Sequence, residues 1–252
     1  MEFAGKVAIV TGGAQGIGEA YVRLLAEKGA AVVIADVKME RAEPLAAELS
    51  AAGHRVVACL TDVASPDSCR ACAARTAEAF GGVDLLVNNA GLLSAYRWPP
   101  IDQLSPEQYA SVFAVNTHGV FNMTHAVLPL MAGREPCAIV NTSSVASWMA
   151  DGAYALSKLA VNGLTVALAR ALADRAIRVN AVAPGPVDTA GLADLGLDVD
   201  GLRQWARDNN KPTDGVADPI DIARLGVFLL SDAAKGISGQ IVAVDGATIV
   251  RQ

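Results

Sequence analysis

A chain of 252 residues that is 52% hydrophobic and 18% charged can bury a sizeable core, which excludes a disordered chain. Its formal net charge of −6 offers no basic footprint for a phosphate backbone, so nucleic acid is not an expected partner. No basic-then-apolar leader opens the sequence, and no uninterrupted apolar run reaches about 18 residues, so a cytoplasmic protein without a membrane partner is expected. The nearest such run, Leu159 to Ala173, is broken by Asn162, Thr165 and Arg170.

Short runs rich in Val, Ile and Leu recur along the chain, as strands buried on both faces should. They are Val7–Thr11, Ala31–Asp36, Arg55–Thr61, Asp84–Asn88, Ala138–Thr142, Arg178–Ala183 and Gln240–Asp245. Helical stretches lie between them. In the first, Ile17, Tyr21, Leu24 and Leu25 share one face, and Gly29 stands where a C-terminal stop belongs. Met39 to Ala52 forms the next and ends at Gly53; Val112 to Met131 and Ala153 to Ala173 read as helices further on. Strands alternating with helices predict an α/β fold: a doubly wound, seven-stranded parallel sheet with helices on both faces, a three-layer Rossmann fold. No linker divides the chain, so residues 1–252 are expected to form a single dinucleotide-binding and catalytic domain. Only Ala190 to Asp218 departs from the rhythm, and a connection of that length is expected to be a substrate loop.

Cys59, Cys69, Cys72 and Cys137 are too few for a disulfide scaffold. Cys69 and Cys72 form a C-x-x-C pair, but no second ligand pair with zinc spacing accompanies it, so they read as packing residues and no metal is expected.

The first strand runs into Thr11-Gly12-Gly13-Ala14-Gln15-Gly16-Ile17-Gly18 and then a helix. Gly12 permits a sharp turn, Gly16 lets a pyrophosphate approach bare backbone, and Gly18 allows close helix–sheet packing. The helix N-terminus offers free N–H groups to the phosphates. Asp36 ends the second strand, where an acid meets the adenosine ribose hydroxyls. A 2′-phosphate at about 4 Å from it would cost roughly 4 kcal/mol at an effective dielectric near 20, which favours NAD over NADP. Lys38 and Arg41 lie close enough in sequence to blunt that preference.

Tyr154 and Lys158 stand one helical turn apart on one face. A phenol titrates near 10, too high for ready proton exchange at neutral pH, and a neighbouring ammonium favours its ionised form. Ser143 and Ser144 follow directly on the fifth strand, at the carboxyl edge where doubly wound sheets bind ligands. Asn116 lies in an apolar helical stretch, an uncomfortable place for an amide without a partner; it reads as a functional residue or as a kink or packing residue.

These motifs, in this order along essentially the whole chain, resemble the short-chain dehydrogenase/reductase family. The resemblance implies a cofactor site of Gly12, Gln15, Gly16, Ile17 and Gly18 at the turn and Asp36 at the ribose. It adds Asp62 and Val63 at the adenine, and Asn89, Ala90 and Gly91 after the fourth strand. Pro184, Gly185, Val187 and Thr189 would hold the nicotinamide, with Tyr154 and Lys158 on its ribose. Asn116, Ser144, Tyr154 and Lys158 match the family's catalytic set. Ser144 would bind the substrate oxygen, Tyr154 would move its proton, Lys158 would lower the tyrosine pKa, and Asn116 would anchor a relay water. The implied activity is hydride transfer between NAD(H) and a secondary alcohol or ketone. The spacing from Ser144 to Tyr154 is shorter than in many members, which leaves Ser143 an alternative to Ser144.

Leu93, Tyr96, Trp98, Trp148, Met149, Pro186, Leu192, Leu195 and Trp205 are pocket candidates, and their apolar character favours a hydrophobic ring or chain, such as a terpenoid, steroid-like or other cyclic alcohol. Arg97 is read as a solvated loop residue, with contact to an acidic substrate the second reading. A 3-oxoacyl thioester reductase and a non-catalytic dinucleotide sensor are the other readings. The helix after Lys158 is apolar around most of its circumference, so a homo-oligomer is expected, with a tetramer the family's commonest form and a dimer the alternative.

Overall fold

The computed structural model describes residues 1–93, 99–189, 200, 201, 204, 208 and 216–249. Its seven strands are β1 (Val7–Thr11), β2 (Ala31–Asp36), β3 (Val56–Leu60), β4 (Leu85–Asn88), β5 (Cys137–Thr142), β6 (Ile177–Pro184) and β7 (Ile241–Val244). They form one parallel sheet in the order β3-β2-β1-β4-β5-β6-β7. The order reverses between β1 and β4, the switch point at which such sheets open a ligand crevice. The expected strands all occur, with bounds that move by one residue at several ends.

Side chains alternate across the sheet, so each strand feeds two cores. Ala8, Val10, Val32, Ile34, Val87 and Val140 pack on one face beneath α1 (Gly16–Glu27), α2 (Met39–Ala51) and α7 (Pro219–Leu230). Ile9, Val33, Leu86, Ile139 and Val179 pack on the other, beneath α3 (Pro66–Phe80) and α5 (Gly119–Met131). Cys69 and Cys72 are fully buried in that second core. Helix α1 ends as its sequence predicts: Gly29 takes φ +96°, and Ala30 N–H closes the last turn on the Leu25 carbonyl at 3.0 Å.

One expectation needs correction. The helical stretch from Val112 to Met131 is not one regular helix. A helix α4 (Pro106–Phe113) runs into a π-helical turn over Ala114–His118 before α5 begins, and Asn116 sits in that turn. Asn116 hydrogen-bonds outward to other elements, and the widened turn is the backbone geometry that accompanies this reach. Helix α6 (Gly152–Ala171) is long and apolar enough to cross a membrane by length and composition. It carries the buried Lys158, Asn162 and Thr165 and lies against β5 and β6, as a core helix does. The expected substrate loop, residues 190–218, falls largely outside the described residues.

Candidate active site

The glycine turn is built by close backbone approaches. Gly12 takes φ +62°, and a Cβ there would lie 2.8 Å from the Ala90 Cα. A Cβ on Gly18 would lie 1.9 Å from the Gly12 carbonyl oxygen, so no side chain fits. Thr11 Oγ accepts N–H groups from Asn89 at 2.9 Å and Ala90 at 3.1 Å. The Asn89 amide donates to the Thr11 and Gly12 carbonyls at 3.2 and 3.1 Å, and its oxygen accepts from Thr142 Oγ at 3.4 Å. The carboxyl ends of β1, β4 and β5 are thus laced together. Ile17 packs at the edge of the first core.

Whether this turn fits a dinucleotide is testable on its own features. Gln15, the N-cap of α1, makes no side-chain cap, whereas Ser65 and Ser105 cap α3 and α4 with their hydroxyls. The first amides of α1 are therefore left for an anion. Gly16 opens that helix at φ +57°, and a Cβ on it would come within 3.3 Å of Thr189 Cγ. The β6 loop and the glycine turn thus face one another across a gap that bare backbone keeps open. The site fits a pyrophosphate.

Asp36 is nearly buried at the end of β2. Its carboxylate accepts N–H groups from Ala14 at 3.0 Å and Lys38 at 2.9 Å, which fixes it beside the glycine turn. The Lys38 ammonium and the Arg41 guanidinium both donate to Gln15 Oε1, the former at 3.3 Å. Asp62 is exposed, its carboxylate accepting from Ala64 N–H at 2.9 Å. Val63 is buried against Gly119, where a Cβ would approach it to 2.6 Å, and its carbonyl accepts from the Asn122 amide at 2.9 Å. Across the crevice, Gly185 N–H donates to the Val244 carbonyl at 2.9 Å, and a Cβ on Gly185 would strike the Asp245 Cα at 2.8 Å. Val187 pairs with Ala217 in an isolated parallel bridge just beyond Pro184.

Lys158 reaches from α6 to the end of β5, where its Nζ donates to the Thr142 carbonyl at 2.7 Å. Burial pushes its pKa down to about 8. The ammonium lies 5.8 Å from the centre of the Tyr154 ring. Tyr154 is partly buried against the small apolar cluster of Val112 and Ala153, which Leu92, Leu104 and Phe113 also join. Asn116 is fully buried, and its carboxamide ties three elements together. Its oxygen accepts Leu92 N–H at 2.6 Å, and its amide donates to Ser157 Oγ at 3.0 Å. Ser157 Oγ in turn donates to the Tyr154 carbonyl at 2.7 Å. A Cβ on Gly91 would lie 3.5 Å from Lys158 Nζ and 3.6 Å from Asn116 Oδ1, so both polar groups border the small space over that glycine.

The two serines differ in setting. Ser143 is 1% exposed and its hydroxyl donates to Asn162 Oδ1 at 2.5 Å, away from the crevice. Ser144 is partly exposed, with its oxygen accepting Ala146 N–H at 3.2 Å. Thr142, Ser157 and Asn162 were not readable as site residues, because Ser, Thr and Asn on a core helix or at a strand end carry no spacing signature. Of the pocket candidates, Leu93, Trp148 and Pro186 are partly buried and Met149 is 55% exposed; Tyr96, Arg97, Trp98, Leu192, Leu195 and Trp205 lie outside the described residues.

A dinucleotide turn at the switch point, with a serine, a tyrosine and a buried lysine beside it, defines an oxidoreductase of the Rossmann type. The chain belongs to the short-chain dehydrogenase/reductase family: a family model described as enoyl-(acyl carrier protein) reductase matches residues 12–247. It is 42% identical to the cis-4-hydroxycyclohexanecarboxylate dehydrogenase of Sinomonas cyclohexanicum, over 97% of this chain and 96% of that one. It is 40% identical to the D-threitol dehydrogenase of Mycolicibacterium smegmatis, over 98% and 94% of the two chains. A short-chain dehydrogenase from Burkholderia cenocepacia J2315, solved in complex with NADP, superposes with a TM-score of 0.88 at 35% identity, covering 98% of this chain and 99% of that one.

Proposed function

We propose that the protein, acting as one dinucleotide-binding and catalytic domain, oxidises a secondary alcohol or reduces the matching ketone with NAD(H). The observation that carries this reading is the buried Lys158 ammonium 5.8 Å from the Tyr154 ring at the carboxyl edge of the sheet. Bound at the glycine turn, the dinucleotide supplies the hydride acceptor or donor. The phenol of Tyr154 takes the proton from the substrate hydroxyl during oxidation and returns it during reduction. Lys158 favours the phenolate through its charge. Ser144, and not Ser143, hydrogen-bonds the substrate oxygen, because the Ser143 hydroxyl is consumed by Asn162. Asn116 spends its side-chain oxygen on Leu92 N–H and one amide hydrogen on Ser157, so its part is to hold the π-turn against the tyrosine helix. A relay water would sit in the space over Gly91, bordered by Asn116 and Lys158.

NAD is the preferred nucleotide in this reading. The Asp36 charge is fixed beside the turn, and the side chains of Lys38 and Arg41 both donate to Gln15. The NADP-bound relative makes the opposite preference the outcome to test against. For the substrate, the half-buried Trp148 and Leu93 favour a hydrophobic cyclic alcohol over a polyol. Phe121 and Leu159, exposed on α5 and α6, support a homo-oligomer, with a tetramer as the proposed form and cytoplasm as the proposed location. The test is NAD(P)H absorbance across cyclohexanol, cis-4-hydroxycyclohexanecarboxylate, a steroid alcohol, D-threitol and a 3-oxoacyl thioester. Turnover of a cyclic alcohol with NAD supports the reading. Turnover of the thioester alone replaces the substrate class, and no turnover together with tight NADH binding would leave the sensor reading standing.

A further inference from the structure

We propose that Asn162 is a positioning residue that holds the Ser144-bearing turn in register with Tyr154; the proposal rests on the catalytic reading given above. Asn162 lies four residues after Lys158 and eight after Tyr154, on the same face of α6. Its carboxamide crosses to the β5–α6 connection and grips it at two points that flank Ser144. On one side the Ser143 hydroxyl donates to Asn162 Oδ1 at 2.5 Å. On the other, Asn162 Nδ2 donates to Ser147 Oγ at 2.9 Å. Ser143 and Ser147 are each 1% exposed and Asn162 is 8% exposed, so water cannot stand in for either bond.

The two bonds suit a carboxamide, whose oxygen accepts from Ser143 and whose amide donates to Ser147 on one short, stiff arm. A leucine of similar volume removes both bonds and leaves the Ser143 hydroxyl the longer contact to the Lys158 carbonyl at 3.4 Å. Between the two anchors the Ser144 oxygen accepts the local Ala146 N–H at 3.2 Å. Asn162 therefore makes the place of the Ser144 hydroxyl as stiff, relative to the tyrosine, as the helix that carries both Tyr154 and Asn162. A hydroxyl that must meet the same substrate oxygen as a phenol requires that stiffness.

A purely structural role predicts that apolar replacement of the whole trio is harmless, because removing all partners of a buried polar network leaves no unsatisfied group. The measurement is therefore made on Asn162→Leu and on the triple variant Asn162→Leu, Ser143→Ala, Ser147→Ala, with the panel substrate turned over fastest by the wild type. Melting temperature, NADH affinity by fluorescence, kcat and KM are read for each. The expected result is a triple variant that melts at or above the wild-type temperature and binds NADH within about twofold, yet has a kcat lowered about tenfold or more. In a Ser144→Ala background, Asn162→Leu should add less than about threefold to the loss, because the two act through one hydroxyl. Recovery of wild-type kcat in the triple variant, or full multiplication of the two losses, would overturn the proposal. Wild-type kcat in Ser144→Ala alone would instead sink the catalytic reading of Ser144, a different failure with a different signature.

Discussion

Lys158 Nζ donates to the carbonyl of Thr142 at 2.7 Å, so the last residue of β5 fixes where the cation of α6 stands. That bond anchors the ammonium beside the tyrosine before any ligand arrives. Lys158 is also buried, and both the place of its charge and the cost of burying it have consequences that can be measured.

The first consequence is the division of labour with the phenol. Tyr154→Phe keeps the ring in the apolar cluster around Val112 and Ala153 but removes the proposed proton carrier. Turnover should fall about 10²- to 10⁴-fold, the usual worth of a positioned acid/base. NADH affinity, followed by fluorescence titration, should change little. Retention of wild-type kcat on an active substrate would remove the tyrosine from the mechanism.

Burial of Lys158 holds its folded pKa at about 8, below the ordinary 10.5. Below pH 8 both folded and unfolded chains carry the proton, and the fold bears the full cost of the enclosed charge. As pH rises from 8 to 10.5 the unfolded chain binds more protons than the folded one, so this group makes stability rise with pH across that window. Lys158→Met should therefore melt about 2–4 °C above the wild type at pH 7 in the absence of nucleotide, while losing nearly all activity. The difference between the two melting curves should shrink from pH 8 to 10.5. A variant less stable than wild type at pH 7 would show that the Thr142 bond outweighs desolvation.

On the proposed reading, Asp36 sets the nucleotide preference. Asp36→Ser removes the charge but leaves an oxygen that can still accept from the turn. The ratio of NAD to NADP efficiency should fall by about 10²–10³, in line with roughly 4 kcal/mol for one charge pair at about 4 Å. The ratio is read from initial rates with each nucleotide on one substrate. An unchanged ratio would assign the preference to Lys38, Arg41 and Gln15.

Gly91→Ala addresses the space shared by Asn116 and Lys158. The added methyl would meet both polar atoms at ordinary contact distance, 3.6 and 3.5 Å, so the fold should accept it. Melting temperature should be unchanged or slightly raised, since alanine narrows the unfolded ensemble. The kcat should drop about tenfold if the space holds a working water or the edge of the bound ligand. Wild-type kinetics would mean that the space is idle.

Much of this molecule could be read without coordinates. Strand order is not written in the sequence, but the strands themselves are, because a strand buried on both faces has to be an unbroken apolar run and Val7–Thr11 or Ala31–Asp36 can be little else. The glycine turn was legible for a similar reason: Gly12 at φ +62° and Gly16 at φ +57° are backbone states that few other residues tolerate. Tyr154 and Lys158 were legible as a pair because one helical turn separates them.

Other features were decided by contacts between segments far apart in the chain. The π-turn at Asn116 follows from partners 24 and 41 residues away, Leu92 and Ser157, which no local pattern announces. That the Ser143 hydroxyl is used inside the fold follows from Asn162, 19 residues further on, which accepts it. Local propensity determined the helices, strands and turns. The tertiary fold determined which polar side chains were used up inside and which were left to do chemistry, because a buried hydroxyl or amide is satisfied only by whatever the packing brings to it.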